Sequence, residues 1–409
     1  MTKPPAAAQS TPLAQYYDSV KLSPVEHDLT RADTLRTHLR KRQNLLDHYL
    51  KMPAQLWRGA RVLEFGPGSG ENAAVLAHYG ARLTLVEPLD YLIQKLKANF
   101  QKLGLAAQIE ALYQEALEHF ECSQTFEFVV AEGFIHFLED KAAAVRKLCS
   151  LVAPEGFLFV SVVHPSGTFI EFFKKALLDR MIRQTGARAP DQRMTSARLL
   201  FYDDFSKTRH SRSFESWIGD TLLNPLYRMA NFLDLAQVLD AAPADFQLYS
   251  AWPNCKSFDD LRWHKVILDV KQVRARTMDA YYARYPHFLH SIPASGSDYS
   301  PFSSERGRTL SRLIDLSLGA LDRSLDSEIG WDSDLAPSLR KLEKAARPLP
   351  EVGPLPQLLA DCRDLVERTQ HASGSAEFVN AYMASGLLKK NWGSPGHYYV
   401  LHRTSLFTG

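Results

Sequence analysis

Residues Val62–Ala74 read VLEFGPGSGENAA, and this stretch decides the fold. A short apolar run, ARVLEF, leads into it, and the helix-forming ENAAVLAHYG leaves it. Gly66, Gly68 and Gly70 therefore sit where a strand hands over to a helix. Glycine at such a junction lets the backbone turn sharply and lets a ligand come close to main-chain N–H groups. The dinucleotide fingerprint is G-x-G-x-x-G after a strand. Here the spacing is G-x-G-x-G, with Glu64 two positions ahead of the first glycine. A pyrophosphate would welcome backbone amides but not that carboxylate, whereas a cationic amino-acid group would welcome it.

Outward from this loop, strand and helix patterns alternate. RLTLVEP reads as a second strand, AAQIEALY a third, FEFVVAEG a fourth and FLFVSVVHPSG a nearly all-apolar fifth. The helical stretches between them are LDYLIQKLKANFQKLG, closed by a glycine, and KAAAVRKLCSLVAPEG, closed by Pro–Gly. Continuous apolar runs suit parallel strands covered by helices on both faces. The expected class is α/β, a doubly wound, mostly parallel sheet with N-terminal helices and a large, mainly helical insertion. The expected division is a leader and helical lid over 1–57, the Rossmann-like core with a substrate loop over 58–262, a helical insertion over 263–392, and a C-terminal strand over 393–409. That last strand, in GHYYVLHRTSLF, is expected to return to the sheet at its edge. The arginine-rich stretch running to Ser216 reads as a loop or lid.

The loop resembles motif I of the class I (Rossmann-like) S-adenosylmethionine-dependent methyltransferases. That resemblance implies that Gly66, Gly68 and Gly70 line the cofactor S-adenosylmethionine and that Glu64 supports its amino group. Glu87 ends the next strand, LTLVEP, about 20 residues beyond the glycines, where an acid can accept hydrogen bonds from both ribose hydroxyls. By the same resemblance Glu115, with Gln114 as its rival, lies near the adenine amine. Ala131, Glu132 and Gly133 border cofactor and substrate, and Tyr16 or Tyr17 belongs to an N-terminal lid whose ring suits a sulfonium. The family's usual acid within the fourth strand is replaced by Glu127.

The implied reaction is an in-line displacement of the sulfonium methyl by a nucleophilic atom of the acceptor. For a hydroxyl or ammonium acceptor a base is needed, and His136, His164 and Asp220 are the candidates. Both histidines also admit a packing role. Asp220 stands in SWIGDTLLNPLYRM, a polar and aromatic segment resembling the D-T-x-x-[HN]-P stretch of some bacterial methyltransferases. Tyr281, Tyr282, Tyr285, His287 and Phe288, with Arg274, Arg276 and Arg284, fit either the cap of a small-molecule pocket or an ordinary apolar helix face.

Composition restrains the choice of acceptor. The 409 residues carry a formal net charge of +2 and 23% charged residues, which counts against RNA or DNA as a partner. Cys122, Cys149, Cys255 and Cys362 are far apart without a CxxC pair, so neither zinc nor a disulfide framework is expected. No apolar run nears the ~20 residues of a membrane span, and the N-terminus lacks a signal-peptide core. A cytoplasmic enzyme acting on a small molecule, amino-acid-like or a natural-product intermediate, is the expectation; a homo-oligomer is compatible with it. The rival readings are an NAD(P)-dependent oxidoreductase, disfavoured by the glycine spacing and Glu64, and a cofactor-binding scaffold without turnover.

Overall fold

The computed structural model describes residues 12–20, 31–207, 213–255, 269–290, 303–327, 330–349 and 353–404. The chain forms two compact units. The first comprises Met1–Val162, Leu233–Ala275 and Tyr398–Gly409, and the second comprises Val163–Phe232 and Arg276–His397. Residues 163–232, grouped with the core on sequence grounds, thus pack with the helical residues. The expected boundary at 262/263 lies outside the described residues.

The first unit is built on a seven-stranded sheet: β1 (Arg61–Phe65), β2 (Arg82–Val86), β3 (Ile109–Tyr113), β4 (Phe126–Glu132), β5 (Val152–Val163), β6 (Phe246–Trp252) and β7 (Gly396–Arg403). Their order is β3-β2-β1-β4-β5-β7-β6. β1 through β5 pair in parallel, and β7 runs antiparallel to β6. This is the α/β class expected. Order reverses at β1, whose neighbours β2 and β4 feed helices onto opposite sides, and ligands of open α/β sheets bind beyond the carboxyl ends at such a point.

Two details depart from the sequence pattern. The C-terminal strand is interior, between β5 and β6, because β6 takes the edge. β5 begins at Val152, ahead of the Pro–Gly signal: its register to β4 jumps from Phe126↔Val152 to Phe128↔Phe157. Pro154, Glu155 and Gly156 are accommodated as an irregularity, with Glu155 at φ 59°. A Cβ on Gly156 would meet the carbonyls of Ala153 and Glu127 at 2.9 Å, so only glycine lets the strands close again.

The core on one face of the sheet joins Leu46, Leu50 and Trp57 from the N-terminal segment to Leu76, Leu96 and Phe100 from the crossover helices. Trp57 stacks on Phe128 at 4.3 Å between ring centroids. The N-terminal helix Ala32–Gln43 continues as a wider π turn over Asn44–Tyr49, and Ser250 Oγ of β6 donates to the Leu50 carbonyl at 2.6 Å.

The second unit is helical. Its central helix, Pro165–Thr185, is buried along almost its whole length. Phe169, Phe172, Phe173 and Leu177 supply apolar packing, while cations within it are satisfied by carbonyls. Lys174 Nζ donates to Asn391 O at 2.7 Å and Lys175 Nζ to Leu222 O and Asn224 O at 2.9 Å. Such bonding is what makes buried ammonium groups tolerable. Among the described residues, the arginine-rich stretch expected as a loop is instead largely helical, as Pro190–Ser206 and the start of Phe214–Asp220, while 208–212 lie outside them. Pro190 at the first turn favours that start, and the buried face formed by Ala197, Leu200 and Phe201 outweighs the polar composition.

Candidate functional site

β1 ends at Phe65, and the chain turns through three glycines with positive φ: Gly66 at 66°, Gly68 at 59° and Gly70 at 87°. The three do different work. A Cβ on Gly66 would touch the Phe134 ring at 3.0 Å, and one on Gly70 would meet Leu96 at 2.9 Å and Phe100 at 3.1 Å. Those two positions are closed by packing. Gly68 has nothing within 4 Å of its Cβ position, and it lines a cleft enclosing about 820 Å³ of empty space, open mouth included.

The cleft runs over the carboxyl ends of β1, β2 and β4. Gly66, Gly68, Glu87, Glu115, Glu132 and Tyr17 line it, together with Phe134 and the apolar side chains of Leu89, Leu92, Leu117 and Leu138. Glu87, 3% exposed, ties two turns together. Its Oε2 accepts from Gly68 N at 3.1 Å and its Oε1 from Leu89 N at 3.0 Å. Each oxygen retains a second lone pair. Burial pushes Glu87 up to about 7 against the pull of these two N–H groups.

Glu64 is 2% exposed. Burial, reinforced by the Glu132 charge and opposed by Arg42, raises it to about 8. Its Oε2 has no hydrogen-bond partner among the described residues. Glu132 is held by a planar fork from Arg42, at 2.9 Å from Nη1 and 2.7 Å from Nη2. The short helix Pro12–Val20 contributes Leu13, Ala14 and Tyr17 to the cleft wall, and Tyr91 Oη donates to the Tyr17 carbonyl at 3.3 Å.

A family model for the methyltransferase domain matches residues 36–218, which begin in the N-terminal helix and include β1 to β5. This domain belongs to the class I S-adenosylmethionine-dependent methyltransferases. The ubiquinone biosynthesis O-methyltransferase of Methylocella silvestris is 32% identical over 149 residues, 35% of this chain and 54% of that protein. The enzyme of the same name from Xylella fastidiosa (strain M23) is 31% identical over 26% of this chain and 43% of its own. The chain thus spans about half the length of the curated relatives it matches. The N-methyltransferase NodS from Bradyrhizobium japonicum WM9, solved with S-adenosyl-L-homocysteine, aligns at 20% identity and TM-score 0.28, over 36% of this chain and 74% of that one.

The residues of the methyltransferase domain fit the family's cofactor, S-adenosylmethionine. An unpartnered buried carboxylate oxygen on Glu64 suits an ammonium, and the lone pairs of Glu87 suit a pair of hydroxyls. The open space over Gly68 allows a ligand against the backbone.

Of the expected cofactor residues, Tyr17, Gly66, Gly68, Glu87, Glu115 and Glu132 line the cleft together, with Gly133 beside them. Gln114, the rival of Glu115, is exposed and not in the lining. Glu64, Gly70 and Ala131 stand one layer back: Ala131 is wholly buried between Phe65 and Val160 in the sheet.

The candidate bases separate. His136 is 2% exposed, and neither ring nitrogen has a hydrogen-bond partner among the described residues. It lies on the single turn Ile135–Phe137, flanked by the cleft residues Phe134 and Leu138. Burial, with a smaller push from Lys141, lowers it to about 3, so the ring is neutral. His164 belongs to the second unit and caps the helix Pro165–Thr185. Gly167 N–H donates to its Nδ1 at 3.2 Å, which leaves Nε2–H to donate to Tyr281 Oη at 2.6 Å. Tyr281, Tyr285 and Phe288 surround it, and His397 stacks on it at 4.0 Å. Asp220 is half-buried in the second unit, its carbonyl accepting from Asn224 Nδ2 at 3.1 Å. In the following segment Tyr227 Oη donates to Glu171 at 2.6 Å, and Arg228 binds Asp322 and Asp326. Arg274 donates to the carbonyls of Ala242, Pro243 and Phe246.

Sequence reasoning missed Arg42 and Phe134. For Arg42 a signal existed: Leu35, His38, Arg42 and Leu45 share one helical face, so a charge there points inward. Nothing in AEGFIHF separates Phe134 from its neighbours, because its place depends on the missing Cβ of Gly66.

Proposed function

We propose that the protein methylates a small molecule, with S-adenosylmethionine as donor and the cleft over β1, β2 and β4 as the donor site. The observation that carries this reading is a buried acid of β2 fastened to the middle of the glycine loop, with a second buried acid one layer behind the loop's start. Glu64 offers an unpartnered oxygen next to the loop's start, and Glu87 is bonded to the Gly68 N–H. Acids near the loop's start and beside its middle answer a ligand that has a cationic amino acid at one extremity and a ribose further along. The apolar lining that Leu89, Leu92 and Leu117 provide suits a flat base, and Glu115 lines the same cleft. When bound, the cofactor supplies a methyl group already activated on sulfur.

The chain's own groups orient the partners and keep water out. Leu13, Ala14 and Tyr17 close the cleft on the N-terminal side, and Phe134 fills the space that Gly66 leaves. For a hydroxyl acceptor the candidate base is His136, flanked by cleft residues, and methyl transfer must drive the proton onto a ring that burial makes a weak base. That ring is neutral and has an open acceptor site, whereas both nitrogens of His164 are engaged. The O-methyltransferase names of the relatives favour such an acceptor.

Calorimetric titration of the full chain with S-adenosylmethionine and with NADH tests the donor site; heat with NADH alone would overturn it. A mass-spectrometric screen over phenols, amines, thiols and carboxylates tests the acceptor class. Label appearing only on protein or RNA would show the class to be wrong.

A further inference from the structure

The helix Ala32–Gln43 buries Arg42, 6% exposed, against the sheet. Its neighbours come from four strands. Glu132 on β4 takes both arms of its fork, and Glu64 on β1 is close enough to feel its charge. The Phe159 ring of β5 lies 5.9 Å from the guanidinium carbon, and Tyr398 of β7 faces both Arg42 and Glu132. Tyr79 feels the charges of both Arg42 and Asp47. One guanidinium therefore stands beside two carboxylates, Glu64 buried and Glu132 on the cleft wall, and its fork is committed to Glu132. An unbalanced charge in a dry site is costly, and neutralisation by a proton is the usual escape.

We infer that Arg42, by committing its fork to Glu132, leaves Glu64 to carry a proton while the cleft is empty, and that a ligand ammonium entering the cleft releases this proton to solvent. Donor binding is then linked to proton release, and Arg42 is the positioning residue that sets how many protons are lost. The inference rests on the reading of the cleft as an S-adenosylmethionine site. The upward displacement of Glu64, caused first by burial and second by Glu132, agrees with the charge count. Glu87, buried on the same cleft, contributes its own share, so the Glu64 share must be read by difference.

The test is titration calorimetry of the full chain with S-adenosylhomocysteine at pH 7 in two buffers of different ionisation enthalpy. The wild type releases protons on binding, and its affinity rises between pH 6 and pH 8. In Glu64→Gln at least half a proton fewer is released, and the rise flattens. In Arg42→Met Glu64 loses the charge that opposes its protonation, so its share of the release is at least the wild-type value. Arg42→Lys keeps the charge without the fork, falls between the two, and serves if the methionine variant does not fold. Equal release by wild type and Glu64→Gln would overturn the inference while leaving the cofactor reading intact. No binding of S-adenosylhomocysteine by the wild type would overturn the cofactor reading itself, and the inference with it.

Discussion

Gly68 N–H donates to Glu87 Oε2 at 3.1 Å, so the loop after β1 is fastened to the acid that ends β2. The bond fixes a carboxylate whose job, on the reading above, is to hold a ligand, and it aligns the loop's backbone in the same stroke. Glu87→Ala should therefore weaken S-adenosylmethionine binding by about 1–3 kcal/mol, the value of charge-assisted hydrogen bonds. Glu87→Gln, which keeps an acceptor and loses the charge, should fall between. Calorimetric affinities check this, and an alanine variant binding like the wild type would place the ribose elsewhere.

Gly68→Ala separates cofactor space from fold. The site has φ 59°, so alanine pays roughly 1–2 kcal/mol of left-handed strain. Its methyl group meets nothing within 4 Å and points into the region lined by the cleft. A small drop in denaturation midpoint, with a tenfold or larger loss of cofactor affinity, is the expected pair. Gly70→Ala should do the reverse and cost stability first, since its Cβ would press on Leu96 and Phe100. Equal effects on binding and stability at the two sites would contradict the division of labour.

Glu64 also shapes the pH dependence of the empty protein. Its folded value near 8 lies above the ordinary 4.5, so the native state binds the proton more tightly than the unfolded chain. Its contribution is thus fully present below about 4.5 and is lost as pH rises towards 8, with a slope of at most about 1.4 kcal/mol per pH unit. Urea unfolding of wild type and Glu64→Gln at pH 5 and pH 8 measures this. The variant should gain on the wild type as pH rises; a constant difference would show that Glu64 does not titrate in this window.

The core of the site was legible because it is local. Glu64, the glycines and Glu87 lie on consecutive strand ends, where a parallel register carries spacing in sequence directly into spacing in the cleft. Glu132 was legible for the same reason; the helical face marks Arg42 as pointing inward, but not the pairing of the two, because Arg42 reaches Glu132 from a helix 90 residues earlier in the chain. The charge of Pro190–Ser206 suggests a loop, and there burial against other helices decides the outcome. A polar composition sets which face is wet, not whether a helix forms.

If the acceptor is a hydroxyl, His136→Ala should lower kcat about 100-fold or more, the usual scale of general-base loss, and leave donor affinity within about twofold. Its ring nitrogens have no protein partner among the described residues to lose. A fall in donor affinity with unchanged kcat would make His136 a packing residue beneath Phe134 and Leu138.

His164 should behave in the opposite way. Its Nδ1 caps the first turn of the helix Pro165–Thr185, and its Nε2–H is bonded to Tyr281 Oη in a fully buried setting. His164→Ala removes the cap, worth about 0.5–2 kcal/mol, breaks the bond to Tyr281 Oη and opens a cavity among aromatic rings. Unfolding free energy should drop by roughly 3 kcal/mol in total. His164→Asn restores a good cap without reaching Tyr281 and should recover part of that loss. Burial, with His397 beside it, holds the imidazole well below its ordinary value. The wild-type advantage over His164→Asn should therefore shrink as pH falls below about 6.5, where the unfolded histidine takes up a proton that the folded one refuses. A variant with native stability and kcat lowered 100-fold would instead make His164 the proton acceptor and relieve His136 of that role.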